Sequence, residues 1–331
     1  MTPRFAATAV AHSNIALIKY WGKLPISGNY PAVPSLSLTL DALRTRTRVT
    51  FDSQYSQDEF ELDGKRVLER PLQRVSSLLD AIRSLASLEY FAKVVSSNNF
   101  PTASGLASSA SGFAALAVAA THAAGLNLEP AAISSLARAC SASSARSIHG
   151  GWASLDAGAD SANALDSGQN WDVVLIVAVT DPGPKAIGST QAMIRCADTS
   201  PYFAAWVETA PVLFARACGA LHHRDLDALG RCMEESTWRM HATMLTAVPA
   251  VVYISPITLA IINEIRSRRS ASVPAYFTTD AGPHVKVLTM AEHAAAVRSW
   301  LTQIPGVTDT IICKPGPAAF VETPVTEGHT A

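Results

Sequence analysis

The chain has 331 residues and a nearly balanced charge, with 26 Lys and Arg against 27 Asp and Glu and a formal net charge of −1. Its residues are 48% hydrophobic and only 16% charged, which excludes a disordered chain, since such chains are poor in apolar residues and rich in net charge. The charge balance also excludes a general nucleic-acid binder, whose affinity comes from basic side chains on phosphates. The length predicts two domains of roughly 100–200 residues each.

The cysteines and the apolar runs indicate a cytoplasmic protein. The five cysteines are odd in number and widely spaced, with no C-x-x-C pair. This pattern argues against a disulfide framework and against a structural metal site, and it favours a reducing compartment. No uncharged, strongly apolar run reaches the roughly 18 residues that a membrane span needs, so we expect no membrane segment.

The first half of the chain alternates predicted strands and helices. Residues 35–51 alternate at a period of two, which predicts half-buried strands, with arginines 44, 46 and 48 on a solvated face. Residues 71–87 carry apolar side chains at a 3.6-residue period, which predicts a helix. The other predicted elements are strands at 5–18, 90–97 and 171–179, and helices that end near Ala124 and near Cys140.

The second half is predicted to be more helical. Its helices are expected at 201–221, 225–246 and 255–269, and its strands near 274–279, 284–289 and 308–313. Pro182-Gly183-Pro184 is typical of a break between domains. Because strands and helices interleave without regular βαβ spacing, we predict two α+β domains, at 1–184 and 185–325, with a cleft between them and a tail at 326–331.

A run of small residues between Asn98 and Gly112 leads into the Ala-rich helix. The first N–H groups of a helix lack internal partners, and the helix dipole places positive potential there, so such a loop can hold a phosphate. The run is not a Walker A loop, because it lacks G-K-[ST]. Composition alone leaves two readings open: a phosphate loop, or a small-residue loop that only caps the helix.

Four segments stand out together. They are NIALIKYWGK (14–23), PTASGLASSAS (101–111), SSARSIHGG (143–151) and FTTDAGP (277–283), with a weaker fifth, MHAT (240–243). In this order they resemble the motifs of the diphosphomevalonate decarboxylase family, in the GHMP kinase superfamily.

This resemblance implies a fold and an activity. The fold is a two-domain α+β GHMP-kinase-like fold, with an N-terminal ATP-binding domain, a C-terminal ferredoxin-like α/β sandwich domain and the active site in the cleft between them. The activity is that of an ATP-dependent carboxy-lyase of isoprenoid biosynthesis. ATP phosphorylates the 3-hydroxyl of mevalonate 5-diphosphate, and loss of phosphate and CO₂ then gives isopentenyl diphosphate. ATP and Mg²⁺ are the implied cofactors, and a homodimer is the implied assembly.

The resemblance also assigns catalytic roles. Asp280 would orient and deprotonate the 3-hydroxyl, and Lys19 would keep Asp280 ionised. Asn14 would hold the hydroxyl or Asp280 through its amide, and Arg146 would clamp the substrate carboxylate. From spacing alone, each has a structural alternative, such as a turn aspartate at 280 or a surface lysine at 19.

The remaining expected contacts fall into two groups. The substrate-binding residues are Tyr20, Trp21, Lys23, Ser141, Ser143, Arg146, Ser189 and Thr190, the last two in a loop after Pro184. The residues expected at ATP and Mg²⁺ are Ser97, Asn99, Pro101, Ser104, Gly105, Leu106, Ala107, Ser108 and Ser109. Mg²⁺ would be held through ATP, with Ser109 as a candidate ligand, and no structural metal is expected.

The chain departs from the family pattern near the substrate. Cys140 and Ala142 stand where the family has glycines, and Thr279 and Ala192 differ as well. Added Cβ atoms narrow the approach of a phosphate to the backbone, so the 5-substituent of the substrate stays open. The alternatives are a decarboxylase or 3-kinase acting on mevalonate monophosphate, a bisphosphate or mevalonate, and a nucleotide-binding regulatory protein on the same scaffold.

Overall fold

A computed structural model describes residues 5–100, 108–180, 187–270 and 272–323. Three expectations lie outside these ranges: the phosphate-loop residues Pro101, Ser104, Gly105, Leu106 and Ala107, the predicted break at 182–184, and the tail at 326–331.

The first layer is an eight-stranded sheet in which strands run β12-β1-β2-β5-β3-β4, with β6 paired to β2 and β7 to β6. All the pairs are antiparallel except β3 with β5. The strands are β1 (Phe5–Ile18), β2 (Ser35–Phe51), β3 (Glu59–Leu62), β4 (Lys65–Arg66), β5 (Ala92–Asn98), β6 (Trp152–Leu155), β7 (Asn163–Asp166) and β12 (Phe320–Val321).

Three helices cover one face of this sheet. They are α1 (Glu69–Ala86), α2 (Ser108–Ala123) and α3 (Pro130–Cys140), and a 3₁₀ helix, Ala142–Ile148, follows α3. The Ala-rich α2 packs in the centre, because its small side chains let it lie close against β1 and β2. Along the end of β2 that carries them, Arg44, Arg46 and Arg48 are exposed, as the period-two pattern predicts.

The second layer is a four-stranded antiparallel sheet in the order β11-β8-β10-β9. Its strands are β8 (Val173–Thr180), β9 (Ala275–Thr279), β10 (Val285–Met290) and β11 (Val307–Cys313). The helices of this half are α4 (Ser189–Thr199), α5 (Phe203–His222), α6 (Leu226–Leu245), α7 (Pro256–Arg268) and α8 (Ala294–Thr302). In chain order this is strand, helices, two strands, helix and strand, which is the ferredoxin-like arrangement that the family resemblance implies.

The two layers share a core. The apolar face of β2, with Leu36, Leu38 and Leu40 fully buried, packs in one cluster with β8, α5 and α6. Strand β8 precedes residue 184 but pairs in the second sheet, and β12 returns to the first. We therefore propose that the structural boundary between the two units lies between β7 and β8.

Most of the predicted long elements are present within a few residues. The elements without a sequence prediction are mainly short or peripheral: β3, β4, β6, β7, β12, α4, α8, the 3₁₀ helix at Ala142–Ile148 and a second one at Ala291–His293. Within the described ranges, no helix is both long and apolar enough to cross a membrane.

Candidate active site

A cavity of about 190 Å³, here called the cleft cavity, opens where the two sheets meet. Every residue predicted for catalysis or substrate binding lines it: Asn14, Lys19, Tyr20, Trp21, Lys23, Ser141, Ser143, Arg146, Ser189, Thr190 and Asp280. Within this set, Lys19 and Asp280 are in hydrogen-bond contact although they lie 261 positions apart in the chain. The fold thus brings the separate sequence motifs to one place.

Asp280 lies between two lysines. It follows β9 directly, and its two carboxylate oxygens accept hydrogen bonds from Lys19 Nζ at 2.6 Å and from Lys286 Nζ at 2.8 Å. Lys19 follows β1 and also donates to the carbonyl of Ala16 at 2.8 Å. Lys19 and Lys286 are at most 1% exposed, whereas Asp280 is 28% exposed. The carboxylate is therefore partly accessible from the cavity, whereas both lysine side chains are shielded from solvent.

The surroundings set the charge states of this triad. Burial alone would raise the pKa of Asp280, but the charges of Lys19 and Lys286 hold it well below its usual range. Burial lowers the pKa of Lys19 to about 8, and the charge of Lys286 adds to that effect, while Asp280 opposes it. At neutral pH the site therefore holds an ionised carboxylate between two cations.

Replacing Lys286 by methionine should move the alkaline limb of the activity profile to higher pH. Lys286 lowers the pKa of Lys19 by like-charge repulsion, so its removal raises that pKa, and Lys19 then loses its proton at higher pH. The measurement is kcat as a function of pH for both proteins, with Lys314→Met as a control on an exposed lysine. An alkaline limb that stays in place or moves downward would contradict the assignment.

Two buried side-chain oxygen atoms of the cavity wall have no hydrogen-bond partner in the described structure. Asn14 donates through Nδ2 to the carbonyl of Ser143 at 2.9 Å and to Ser147 Oγ at 2.7 Å, which leaves its buried Oδ1 without a partner. The buried hydroxyl of Tyr20 is also unpaired. Because an unpaired buried polar group costs free energy, both atoms are suited to a ligand. Both hydrogen bonds of the Asn14 amide are to the 3₁₀ helix, and no hydrogen bond among the described residues joins Asn14 to Asp280.

Arg146 lies in the 3₁₀ helix and is 1% exposed. Its Nε donates to Ser37 Oγ at 3.0 Å, and its Nη1 donates to Ser35 Oγ at 2.6 Å. Burial lowers its pKa to about 10, against the effects of Tyr20 and Asp280, so it is charged at neutral pH. The two serines fix the guanidinium plane without neutralising it.

Local backbone geometry places the other predicted contacts. Gly22 has φ +110°, where L side chains are strained, and it turns the chain between Trp21 and Lys23. Ser141 and Ser143 lie 3.2 Å apart through their hydroxyls, beside the end of α3. Ser189 and Thr190 form the first turn of α4, so the prediction that they lie in a loop was wrong. The helix begins there because the i, i+4 hydrogen bonds start at Gly188.

A second cavity of about 390 Å³, here called the helix cavity, lies at the start of α2. Ser108 and Ser109 line it, together with apolar side chains of Phe60, Leu62 and Phe113. Ser109 and Arg74 line both this cavity and the cleft cavity. Ser97 and Asn99, which were predicted to contact ATP, do not line this cavity. Asn98, which was not predicted, does line it. Asn99 instead binds the β2 backbone, at Ala42 and Arg44.

Comparison with known proteins decides the family. The family described as "Diphosphomevalonate decarboxylase-like N-terminal domain" matches residues 11–167, and "Mevalonate 5-diphosphate decarboxylase C-terminal domain" matches residues 174–319. The chain belongs to the diphosphomevalonate decarboxylase family.

Individual members of this family are similar over most of their length. A diphosphomevalonate decarboxylase from Ganoderma lucidum is 33% identical, with 87% of this chain and 79% of that protein covered. A phosphomevalonate decarboxylase from Haloferax volcanii is 32% identical, with 96% and 98% covered. A solved structure described as MDDEF in complex with MVAPP, AMPPCP and magnesium is 38% identical and has a TM-score of 0.91, with 97% and 99% covered.

The donor set fits a magnesium ion that is held mainly by nucleotide phosphates. Across the described ranges no cluster of three or more His, Cys, Asp and Glu side chains could enclose a metal. Mg²⁺ keeps several waters and binds through substrate phosphates plus one or two protein ligands. The Ser108 and Ser109 hydroxyls at the start of the 16-residue helix α2 suit a site of this kind, in which Mg²⁺ is bound together with the nucleotide phosphates.

Sequence reasoning missed Lys286, Ser35, Ser37, Arg74 and His241. Ser35 and Ser37 lie on the polar face of the alternating β2 pattern, and that alternation was the available signal. Lys286 interrupts an apolar strand, V-K-V-L, and this interruption was the sequence signal for it. His241 Nε2 and Thr279 Oγ1 share a hydrogen bond of 2.6 Å. Thr279, one of the positions at which this chain differs from the family pattern, thus contacts the MHAT segment. Arg74 carried no signal.

Proposed function

We propose that this chain catalyses the ATP-dependent decarboxylation of mevalonate 5-diphosphate to isopentenyl diphosphate, in the mevalonate pathway of isoprenoid biosynthesis. One observation carries the proposal: the Asp280 carboxylate, held between Lys19 and Lys286, faces the same cavity as Arg146 and Asn14. This set offers an acceptor for a hydroxyl proton beside a cation for a carboxylate, which the reaction requires.

The side chains divide the chemistry between them. Bound ATP with Mg²⁺ supplies the phosphoryl group that turns the 3-hydroxyl into a leaving group. Asp280 accepts the hydrogen bond of that hydroxyl and, because its pKa is low, takes the proton only as the oxygen–phosphorus bond forms. Asn14 Oδ1 and the Tyr20 hydroxyl fix the substrate. Arg146 orients the substrate carboxylate. As CO₂ is lost, the electrons of the broken carbon–carbon bond form the new double bond, and the phosphate leaves the neighbouring carbon with the electrons of its carbon–oxygen bond.

A second candidate substrate is mevalonate 5-phosphate. Cys140 and Ala142 line the cleft cavity where the family pattern has glycines, and their side chains take up room beside Ser141 and Ser143. The relative from Haloferax volcanii is named a phosphomevalonate decarboxylase. These two observations favour the shorter 5-substituent as the alternative.

The test is a substrate comparison. The purified protein is incubated with ATP, Mg²⁺ and each of mevalonate, its 5-phosphate and its 5-diphosphate, and ADP, phosphate and CO₂ are measured. We expect all three products from the diphosphate. Release of CO₂ from the monophosphate at a higher kcat/KM would replace the substrate but keep the reaction. No CO₂ from any of them would refute the decarboxylase proposal.

We also propose a cytoplasmic homodimer. All five cysteines are free, which suits a reducing compartment. The family resemblance implies the dimer, and Val212, Val248 and Val252, which are 66%, 69% and 59% exposed, are candidates for its contact. Light scattering on the protein as it elutes from a size-exclusion column measures the mass of the assembly, and a mass of one chain would refute the dimer.

A further inference from the structure

Three cations near the cleft cavity have no carboxylate partner. Lys23, Arg70 and Arg74 line an outer cavity of about 540 Å³, which shares Lys23, Arg74, Cys140, Ser189 and Thr190 with the cleft cavity. Among the described residues, none of the three cations forms an ion pair. Burial, and then the charges of Arg74 and Arg70, lower the pKa of Lys23. An anion bound here would relieve that repulsion.

A neutral side chain holds the Lys23 ammonium. Lys23 Nζ donates to Asn29 Oδ1 at 2.6 Å, and Asn29 Nδ2 donates to the carbonyl of Ala139 at 2.6 Å. Ala139 lies in the last turn of α3, just before Cys140 and the two serines of the cavity wall. Asn29 thus fixes the ammonium relative to the segment that carries Ser141 and Ser143.

The hairpin that carries Asn29 is held by contacts that do not involve Lys23's side chain. Its strands close through the Lys23–Pro31 bridge and the hydrogen bond from Leu24 N to the carbonyl of Tyr30 at 2.9 Å. Arg138 donates to the carbonyl of Gly28, and the Tyr30 hydroxyl donates to Asp160 Oδ1 at 2.7 Å. The position of Asn29 is therefore set by the hairpin, and Lys23 adjusts to it.

The chemistry of the partner matters here. A carboxylate at position 29 could also accept a hydrogen bond from Lys23, but it would cancel the charge of the ammonium. An amide oxygen holds the ammonium and leaves the full positive charge for a ligand. The triad at Asp280 shows the opposite arrangement, in which a carboxylate occupies the lysines.

We infer that Asn29 is a positioning residue that holds the Lys23 ammonium, unneutralised, toward the phosphate or diphosphate end of the substrate. The inference rests on the proposed function for the identity of that substrate. It adds a residue that lies outside the wall of the cleft cavity and contacts the substrate only through Lys23.

The experiment uses two variants that the backbone accepts. Asn29 has φ +58°, in the left-handed region where Asn, Asp and Gly are tolerated. Asn29→Gly removes the amide without backbone strain, and Asn29→Asp keeps an acceptor oxygen but adds a negative charge. Tyr30→Phe is the control, because it removes the hydrogen bond to Asp160 on the same hairpin and leaves the Lys23 contact intact.

We expect a split between KM and kcat. KM for the phosphorylated substrate should rise roughly tenfold in Asn29→Gly and further in Asn29→Asp, since a hydrogen bond to a charged group is worth about that factor. The kcat value and the KM for ATP should stay within about twofold, because the Asp280 triad and the helix cavity are unchanged. Tyr30→Phe should match the wild type in all three values.

A binding measurement separates this inference from the proposed function. Calorimetric titration with inorganic pyrophosphate reports on the cation cluster without any turnover, and its affinity should fall in the same order. Pyrophosphate affinity and KM within twofold of wild type in both variants would overturn the role of Asn29. A fall in kcat by the same factor as the rise in KM, together with a lowered Tm, would also overturn it, in favour of a purely structural role. Wild-type protein that binds pyrophosphate but releases no CO₂ refutes only the proposed function.

Discussion

Replacing Asp280 by asparagine should lower kcat by about a thousandfold or more, the scale expected when a positioned proton acceptor is lost. The amide is nearly isosteric but cannot take the hydroxyl proton, and it cannot balance the charges of Lys19 and Lys286. ATP affinity should stay within about twofold, since Asp280 does not line the helix cavity. Single-turnover measurements of ADP formation and a separate nucleotide titration check both parts.

The same substitution should also destabilise the fold. Removing one partner from a buried ion pair leaves uncompensated charge, which costs about 3–5 kcal/mol. In the wild type the lowered pKa of Asp280 stabilises the fold. This stabilisation is fully present at pH values above the pKa of Asp280 in the unfolded chain, and it is lost as the pH falls through its pKa in the folded protein. In Asp280→Asn, burial and the charge of Lys286 still lower the pKa of Lys19, and the opposing charge of Asp280 is gone. The free energy of unfolding of the variant should therefore rise with pH as Lys19 loses its proton.

A matched control variant separates these effects of Asp280→Asn from those of any aspartate-to-asparagine change. Asp172→Asn changes the same groups at an exposed position, where the carboxylate forms no ion pair with any described residue. It should leave both kcat and the free energy of unfolding unchanged. Undiminished turnover in Asp280→Asn would remove Asp280 from its assigned role, and a variant no less stable than wild type would contradict the buried triad.

The sequence was sufficient for the fold class and for the residues that meet in the cleft. Each of the recurring segments around Lys19, Arg146 and Asp280 is short and distinctive, so a linear match locates it. What a linear match does not contain is distance. Asn14 shows the limit: its residue type suits contact with a hydroxyl, yet its amide nitrogen is committed to Ser143 and Ser147. Only the packed structure shows that its oxygen is the atom left for a ligand.

Lys286 shows what sheet register adds. In the β9–β10 pair Lys286 lies opposite Thr278, and Asp280 is two residues beyond Thr278, so all three share a face. Period-two parity therefore places Lys286 beside Asp280 once the pairing is known, but the pairing itself is a tertiary fact. The start of α4 at Ser189 is similar, because polar residues after a Pro-Gly-Pro run are as typical of a loop as of a helix N-terminus.

Arg146→Gln should lower kcat/KM by about two to four orders of magnitude, the range expected for losing two charge-assisted hydrogen bonds to a carboxylate. The guanidinium is buried, charged and held by Ser35 and Ser37, so it presents its donors to the cavity in one orientation. The measurement is kcat/KM for CO₂ release, together with the CO₂-to-ADP ratio. That ratio should fall below one if the substrate is phosphorylated but its carboxylate is poorly oriented.

Arg146→Lys separates charge from geometry. An ammonium keeps the positive charge but lacks the planar fork, and it leaves the Ser35 and Ser37 hydroxyls differently paired. If orientation dominates, the lysine variant should lose nearly as much as Arg146→Gln, and Ser37→Ala, which removes one hydrogen bond to the guanidinium, should show a loss of about fivefold. If the lysine variant retains wild-type kcat/KM, a point charge suffices and the two serines hold Arg146 for folding alone. We expect the large loss in Arg146→Lys. Ser35 and Ser37 fix the plane of the guanidinium, and a fixed plane matters only for a ligand that binds in one orientation.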